Sequence, residues 1–227
     1  MSFRTIYLGS GQFGAGAFNG DARWLKIGVR PGASTGPYTY LTPLQPLTPT
    51  PYALALPGLW TQPNSTSPNL IGGYSGNWVT SGVYGATIGG GGYAGMLNRV
   101  TDIYSTVGGG ADNQAGDGDG DPISVQYATV GGGGSNAASN FNATVGGGYG
   151  NDASSPSATV GGGWYNKAEN LGAVASGGSF NHATGPLATV GGGEGNSAGG
   201  DWATVAGGYI NVASGFEATV GGGYSND

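Results

Sequence analysis

The chain has 227 residues, of which 52 are glycine and 12 are proline, while only 8% are charged and 11% are aromatic. Disordered chains are usually rich in charge and poor in aromatic residues, so this composition favours a folded repeat. The net charge of −6 argues against a nucleic-acid-binding surface, and the absence of cysteine excludes disulfides and thiolate chemistry. No apolar run reaches membrane-spanning length, and the first seven residues lack the apolar core of a signal peptide.

Residues 1–45 are predicted to form a small N-terminal β domain. The segment 22–30 follows a turn signal, Asn19-Gly20, and alternates like a strand. Its apolar face carries Leu25, Ile27 and Val29. The expected partner strands are Phe3–Leu8 and Tyr38–Leu41.

A proline-rich segment comes next. Nine of the 12 prolines lie between Pro31 and Pro68. The run from Pro43 to Pro51 favours an extended, polyproline-like conformation. We therefore predict a semi-rigid connector over residues 46–68.

Residues 69–227 contain a fifteen-residue repeat. Ala-Thr-Val or a close variant begins each unit from Ala128 to Ala218, and two more columns follow six and eight residues after its third position. The third position holds Val130, Val145, Val160, Ala175, Val190, Val205 and Val220. The second column holds Asn136, Asn151, Asn166, Asn181, Asn196, Asn211 and Asn226, and the third holds Ala138, Ala153, Ala168, Ala183, Ala198 and Ala213. Upstream, Ile71, Ile88 and Val107 continue the first column with longer steps, whose excess is expected in loops.

The repeat predicts an all-β fold, a parallel β-solenoid (β-roll) of 15-residue coils. Fifteen residues are too few for a helical repeat, and the glycine runs disfavour helix by about 1 kcal/mol per residue. Ala-Thr-Val and Asn-x-Ala each alternate as short strands, with valine, alanine and asparagine inside and threonine outside. Coils stacked about 4.8 Å apart would align the asparagines in a ladder that hydrogen-bonds its own coil and the next. A flexible glycine linker, the alternative, has no reason to keep three columns in register.

Coils in which a small residue, a valine or isoleucine and glycines precede a second small-residue strand resemble the head domains of YadA-like trimeric adhesins. The resemblance covers roughly residues 69–227 and implies a left-handed parallel β-roll assembled as a trimer. The coil here is longer than in that family, and an asparagine occupies the second strand. Glycine-rich repeats of this kind also look like parts of phage tail fibres and of large bacterial surface proteins.

Self-association is also expected on physical grounds. Each coil offers about one valine and two alanines to its own interior, which is little apolar burial for fifteen ordered residues. The threonine and aromatic columns are candidates for a second buried surface. We therefore predict a homo-oligomer, with a parallel trimer as the expected form.

Alternating aspartates form the one metal-like pattern in the chain, at Asp117, Asp119 and Asp121. Carboxylates spaced in this way can surround Ca²⁺. The EF-hand pattern fails, because Pro122 stands in place of its glycine and Ala128 in place of its bidentate glutamate. The sequence leaves a solvated loop and a calcium site as alternatives, and it assigns no catalytic, cofactor-binding or metal-binding residue.

Two outward rows are expected on the coils. Four residues after the valine, an aromatic-containing column offers rings to sugars, to polymer surfaces or to a neighbouring chain: Gly134, Tyr149, Trp164, Ser179, Glu194, Tyr209 and Tyr224. A threonine row, broken by Val174, resembles the files of ice-binding solenoids: Thr129, Thr144, Thr159, Thr189, Thr204 and Thr219. His182 is the only histidine, so one chain cannot form a histidine-based triad or a multi-histidine metal site.

These features favour a structural or adhesive role without catalysis. We expect a segment of an extracellular, cell-surface fibre that presents and spaces contacts. Its expected partners are other copies of itself, side by side or as a head-to-tail filament, and a surface glycan or other receptor; neither nucleic-acid binding nor membrane insertion is expected. The alternatives are a receptor-binding tail fibre of a phage or phage-like particle and an ice-binding solenoid. Because the chain stops at Asp227, before that coil's alanine column, we expect either a longer repeat array or a subunit that covers the open edge.

Overall fold

The computed structural model describes residues 23–25, 28–30, 35–40, 42–47 and 58–227. They belong to two compact units, Met1–Leu56 and Pro57–Asp227, which are described separately below. The regular elements of the described residues are β-strands, without a helix. No helix long and apolar enough to cross a membrane is therefore found in this part of the chain.

The described part of the first unit consists of two short antiparallel strand pairs. Its strands are β1 (Arg23–Leu25), β2 (Gly28–Val29), β3 (Thr39–Tyr40) and β4 (Gln45–Leu47). Strand β1 pairs with β4, and β2 pairs with β3. The expected pairing between segment 22–30 and Tyr38–Leu41 is thus seen, whereas Phe3–Leu8 lies outside the described residues. Part of the proline-rich run is a sheet strand, because β4 places Pro46 opposite Trp24.

The second unit is built from many very short strands. In chain order they are β5 (Leu59–Gln62), β6 (Asn69–Gly72), β7 (Trp78–Val79), β8 (Thr87–Ile88), β9 (Arg99–Val100), β10 (Thr106–Val107), β11 (Gln114–Ala115), β12 (Thr129–Val130), β13 (Ala137–Ala138), β14 (Thr144–Val145), β15 (Asp152–Ala153), β16 (Thr159–Val160), β17 (Lys167–Ala168), β18 (Val174–Ala175), β19 (His182–Ala183), β20 (Thr189–Val190), β21 (Ser197–Ala198), β22 (Thr204–Val205), β23 (Val212–Ala213) and β24 (Thr219–Val220).

These strands stack into two parallel sheets. The even-numbered strands β6 to β24, with β5 at one edge, form an 11-stranded sheet, and the odd-numbered strands β7 to β23 form a 9-stranded sheet. Equivalent residues pair in register, so that Val145 lies between Val130 and Val160. A third line, of single bridges, joins equivalent residues from Ala111 to Tyr224. The unit is a parallel β-solenoid of about ten coils of about 15 residues, and the fold class expected from the repeat is confirmed.

One strand of the larger sheet runs the opposite way. Strand β5 pairs antiparallel with β6, with Leu59 opposite Gly72 and Gln62 opposite Asn69. Its Trp60 packs against the solenoid core. Strand β5 was expected to be part of the connector 46–68. It belongs instead to the solenoid unit, because the boundary between the two compact units falls after residue 56.

The solenoid interior is filled by the columns that the repeat indicated. Val130, Val145, Val160, Val190 and Val205 are fully buried. The alanines that open each triplet and those of the second strand are also buried: Ala128, Ala143, Ala158, Ala173, Ala188, Ala203, Ala138, Ala153, Ala168, Ala183, Ala198 and Ala213. The threonines from Thr129 to Thr204 point to the other side and are partly exposed. The expected division into inner valines and outer threonines is confirmed.

A buried asparagine ladder joins the coils. Asn151 Nδ2 donates to the Gly147 carbonyl of its own coil (2.8 Å) and to the Gly163 carbonyl of the next coil (2.9 Å). Its Oδ1 accepts a hydrogen bond from the backbone N–H of Asn166 (2.9 Å). The same three bonds recur at Asn77, Asn98, Asn113, Asn136, Asn166, Asn181, Asn196 and Asn211. Each buried amide is therefore satisfied by backbone groups of two coils.

One rung of the ladder was hidden in the sequence. Asn98 and the buried Val100 continue the asparagine and alanine columns. Residues between Ile88 and Asn98 include an inserted turn closed by a bridge between Tyr93 and Met96, which displaces the asparagine from its usual offset. The triplets Asn77-Trp-Val and Asn98-Arg-Val have the same Asn-x-aliphatic spacing as the regular coils, and this spacing could have identified Asn98 as a member of the ladder.

Adjacent glycines allow a matched test of this ladder. A Cβ at Gly178 would collide with the Gly193 carbonyl and lie 2.8 Å from Asn181 Nδ2, and φ is +84° there; a Cβ at Gly177 has no neighbour within 4 Å. We expect Gly178→Ala to lower the free energy of unfolding by about 3 kcal/mol or more, through backbone strain and lost ladder bonds. Gly177→Ala should change it by less than about 1 kcal/mol. Urea unfolding followed by circular dichroism measures both, and equal losses would contradict the assignment.

Candidate functional site

The aspartate loop between β11 and β12 is held together by its own backbone. Asp117 Oδ1 accepts from the Asp119 N–H (3.1 Å), and Asp119 Oδ1 accepts from the Asp121 N–H (2.7 Å). Asp121 Oδ1 in turn accepts from the Ile123 N–H (3.2 Å). These are successive Asx turns, in which a side chain replaces a backbone acceptor. The alternating spacing therefore has a structural role that needs no bound ion.

Buried Asp102 ties this loop to the preceding coil. Its Oδ2 accepts from Thr101 Oγ1 (2.9 Å) and from the Asp117 N–H (3.1 Å). Its Oδ1 accepts from Ser124 Oγ (3.2 Å) and from the Val125 N–H (3.3 Å). Burial raises the pKa of Asp102 above its ordinary value, with the Asp117 charge adding to the rise, although the hydrogen bonds from Thr101 and the backbone oppose it. This role could not be predicted from the sequence, because all the partners of Asp102 except Thr101 lie 15 to 23 positions away.

A serine hydroxyl stands where the loop oxygens come together. Ser124 Oγ lies 3.2 Å from Asp117 Oδ2, 3.3 Å from Asp119 Oδ1 and 2.9 Å from the Asp121 carbonyl oxygen. Across the described ranges, no group of three or more His, Cys, Asp or Glu side chains is arranged to hold a metal ion. The geometry favours the solvated-loop alternative for Asp117, Asp119 and Asp121.

Chelation separates the two alternatives for this loop. Because the carboxylates already accept hydrogen bonds from the loop, we expect EDTA to leave the Tm of the protein unchanged to within about 1 °C, well below the shift of about 2–4 °C that a 1 kcal/mol change produces in a domain of this size. Differential scanning calorimetry with and without Ca²⁺ is the measurement. A larger fall in EDTA that Ca²⁺ reverses, and that Asp119→Ala abolishes, would establish a calcium site instead.

An aromatic ridge follows the line of single bridges. We define it as the exposed rings of Tyr149, Trp164, Tyr165, Phe180, Tyr209 and Tyr224. Tyr165 stands edge-to-face with Tyr149 at 5.6 Å and stacks on Phe180 at 5.7 Å between ring centroids. Gly150 leaves the space into which the Tyr165 ring packs. Glu194 and Gly195 interrupt the ridge before Tyr209.

An apolar stripe runs along a second corner, just before the threonine strands. We define it as Tyr84, Tyr104, Tyr127, Phe141, Pro156, Leu171, Leu187, Trp202 and Phe216, one from each of nine successive coils. Tyr104 and Tyr127 stack at 5.5 Å, and Trp202 meets Phe216 edge-to-face at 5.5 Å. Backbone bonds also join this corner from coil to coil, for example from the Leu187 N–H to the Leu171 carbonyl (2.8 Å).

The other two features named from the sequence are simpler. The threonines form one outward file on the larger sheet, and the exposed position two residues later is mostly glycine, so no second threonine file lies beside them. His182 is partly exposed and pairs with Lys167 and Ser197 in the outward column of the smaller sheet.

Sequence reasoning found only part of the two apolar surfaces. The aromatic column was identified, but Tyr165 and Phe180, one position later in their coils, were not. The stripe was missed because its members stand two or three residues before the threonine, so no single fifteen-residue column contains them. Counting apolar residues at both offsets together would have revealed it.

The chain matches no protein-family model and no curated protein sequence. The solenoid and its exposed surfaces are therefore the features that bear on function.

Proposed function

We propose that the chain is a non-catalytic segment of an extracellular, cell-surface fibre that presents and spaces contacts for adhesion. One observation carries the proposal: exposed rings repeat along the outside of a solenoid whose inner columns are already committed to packing. Val145, Ala153 and Asn151 show the arrangement, since they are buried between equivalent residues of the coils on either side.

The outward columns vary in chemical type, while the inner columns keep small aliphatic residues and asparagine. The same bridge position holds Tyr149, Trp164, Ser179 and Glu194, yet its backbone bonds are unchanged from coil to coil. Because the backbone and the asparagine ladder maintain the coil, the outward side chain can change without cost to the fold. Such a surface suits a protein whose task is to display contacts at fixed spacing.

A neutral surface glycan is the partner that fits the aromatic ridge. Ring faces carry partial negative charge, which attracts the polarised C–H groups of a sugar ring. Residues 58–227 contain 11 of the 12 acidic residues of the chain and two of its six basic residues. That balance repels anionic polysaccharides and nucleic acids alike.

Self-association belongs to the same proposal, with the parallel trimer implied by the adhesin resemblance as its expected form. Each regular coil encloses only about one valine and two alanines, such as Val160, Ala158 and Ala168. Further burial between chains would add the apolar contact that so thin a core lacks.

Labelling of the producing cell tests the location. Antibodies raised against residues 69–227 should bind intact, unpermeabilised cells and decorate surface fibres in electron micrographs. Label confined to the cytoplasm would contradict the proposal. Label on the tails of phage-like particles would favour the tail-fibre alternative.

Removal of one ring tests the contact surface. Trp164→Ser places on the ridge the residue that the equivalent position of the next coil already carries, Ser179, so the coil should fold normally. We expect binding to immobilised neutral polysaccharides to weaken about tenfold, which corresponds to about 1.4 kcal/mol. Tyr93→Ser is the control, because that ring is as exposed as Trp164 but lies on the inserted turn. Equal binding by both variants and the unaltered chain would remove the ridge as the glycan site.

A further inference from the structure

We propose that the apolar stripe from Tyr84 to Phe216 is the surface through which a second copy of this chain docks. The inference rests on the self-association included in the proposed function and assigns it to particular side chains. It is independent of the aromatic ridge, which lies at a different corner of the coil.

Continuity is the first argument for an interface. Nine successive coils each place an apolar side chain at this corner, although the position shifts between two and three residues before the threonine. The aromatic ridge, by contrast, is interrupted by Glu194 and Gly195. Apolar character is thus kept at one place on the surface while the residue and its offset change, which an internal packing role would not require.

Backbone conformation is the second argument. Tyr104, Tyr127, Leu187 and Trp202 have φ between +56° and +63°, the left-handed region that bulky residues avoid. Equivalent positions in other coils hold small or polar residues that accept this conformation more easily: Asn142, Ser157 and Gly172. These bulky side chains bury only part of their surface within their own chain, since Leu187 and Trp202 are about half exposed. The exposed half of each is available for contacts with another chain.

Repeat matching and area identify the occupant. A partner that meets every coil needs apolar groups about 4.8 Å apart along a straight line, and this chain itself supplies that spacing. Seven of the nine side chains, all but Tyr84 and Pro156, are between 39% and 67% exposed, and each offers about 100 Å². Together they present about 700 Å², which is near the ~800 Å² per partner that stable interfaces bury. Monomeric proteins seldom leave so large an apolar patch uncovered.

Sedimentation velocity of the full chain tests the docking surface. The unaltered protein should sediment as more than the 22.2 kDa of one chain. The double variant Leu187→Asn, Trp202→Ser introduces residue types that Asn142 and Ser157 already place in this conformation, so its coils should fold at least as readily. We expect the dissociation constant for self-association to rise at least tenfold. Trp164→Ser, on the ridge, is the matched control and should shift it less than twofold.

The outcomes distinguish this assignment from the proposed function. If the ridge variant weakens the oligomer and the stripe variant does not, the stripe is not the docking surface, although self-association still stands. If the chain stays at 22.2 kDa at all concentrations, both the self-association and the assignment of the stripe to a second copy are wrong, and a different molecule must cover the stripe. Surface labelling and glycan binding that persist with a monomeric chain show that only the self-association has failed.

Discussion

The asparagine ladder is the interaction on which the solenoid depends. A coil of 15 residues with two-residue strands leaves many backbone groups in its turns without a partner, and a buried unpaired carbonyl is costly. One amide per coil answers this by donating to carbonyls on two levels, as Asn151 does to Gly147 and Gly163, and by accepting from the next asparagine. The glycine column follows from the ladder, because a side chain at Gly163 would meet the Gly178 carbonyl and Asn166 Nδ2. Asparagine and glycine are therefore fixed together, and neither can be replaced alone.

Freedom on the outside is the counterpart of this constraint. Bonds between backbone groups and buried amides hold the coil, so the outward positions need not help to maintain it. Asp152, Lys167 and His182 succeed one another in a single outward column without disturbing the register. The same freedom allows apolar side chains at two separate corners, the continuous stripe and the interrupted aromatic ridge, and we assign these two surfaces to different partners. The loop that carries Asp117 to Asp121 is a further example. It protrudes from the stack, and Asp102 of the preceding coil binds the N–H groups of Asp117 and Val125 at its two ends. The pairing of β10 with β12 is unaffected.

The sequence was informative where one physical role demanded the same residue in every coil. Val145, Asn151 and Ala153 could be placed inside because burial between identical neighbours permits little else. The roles of Asp102 and β5 could not be foreseen: the first depends on partners many residues away, and the second is an antiparallel strand in proline-rich chain. Asn98 was hidden by an inserted turn. The stripe escaped notice because an outward surface constrains apolar character at a place in space and not at a fixed offset along the chain.

The antiparallel pairing of β5 with β6 has a consequence for how the solenoid comes into being. The two strands are joined by only six residues, so this hairpin can order early and offer β6 as a template. Every later coil then needs only its predecessor, 15 to 23 residues earlier, to find its register. Contacts of such short and regular range favour growth by addition from a first nucleus. The chain is thus suited to vectorial folding, one coil after another, while it is still emerging from a ribosome or a translocation pore.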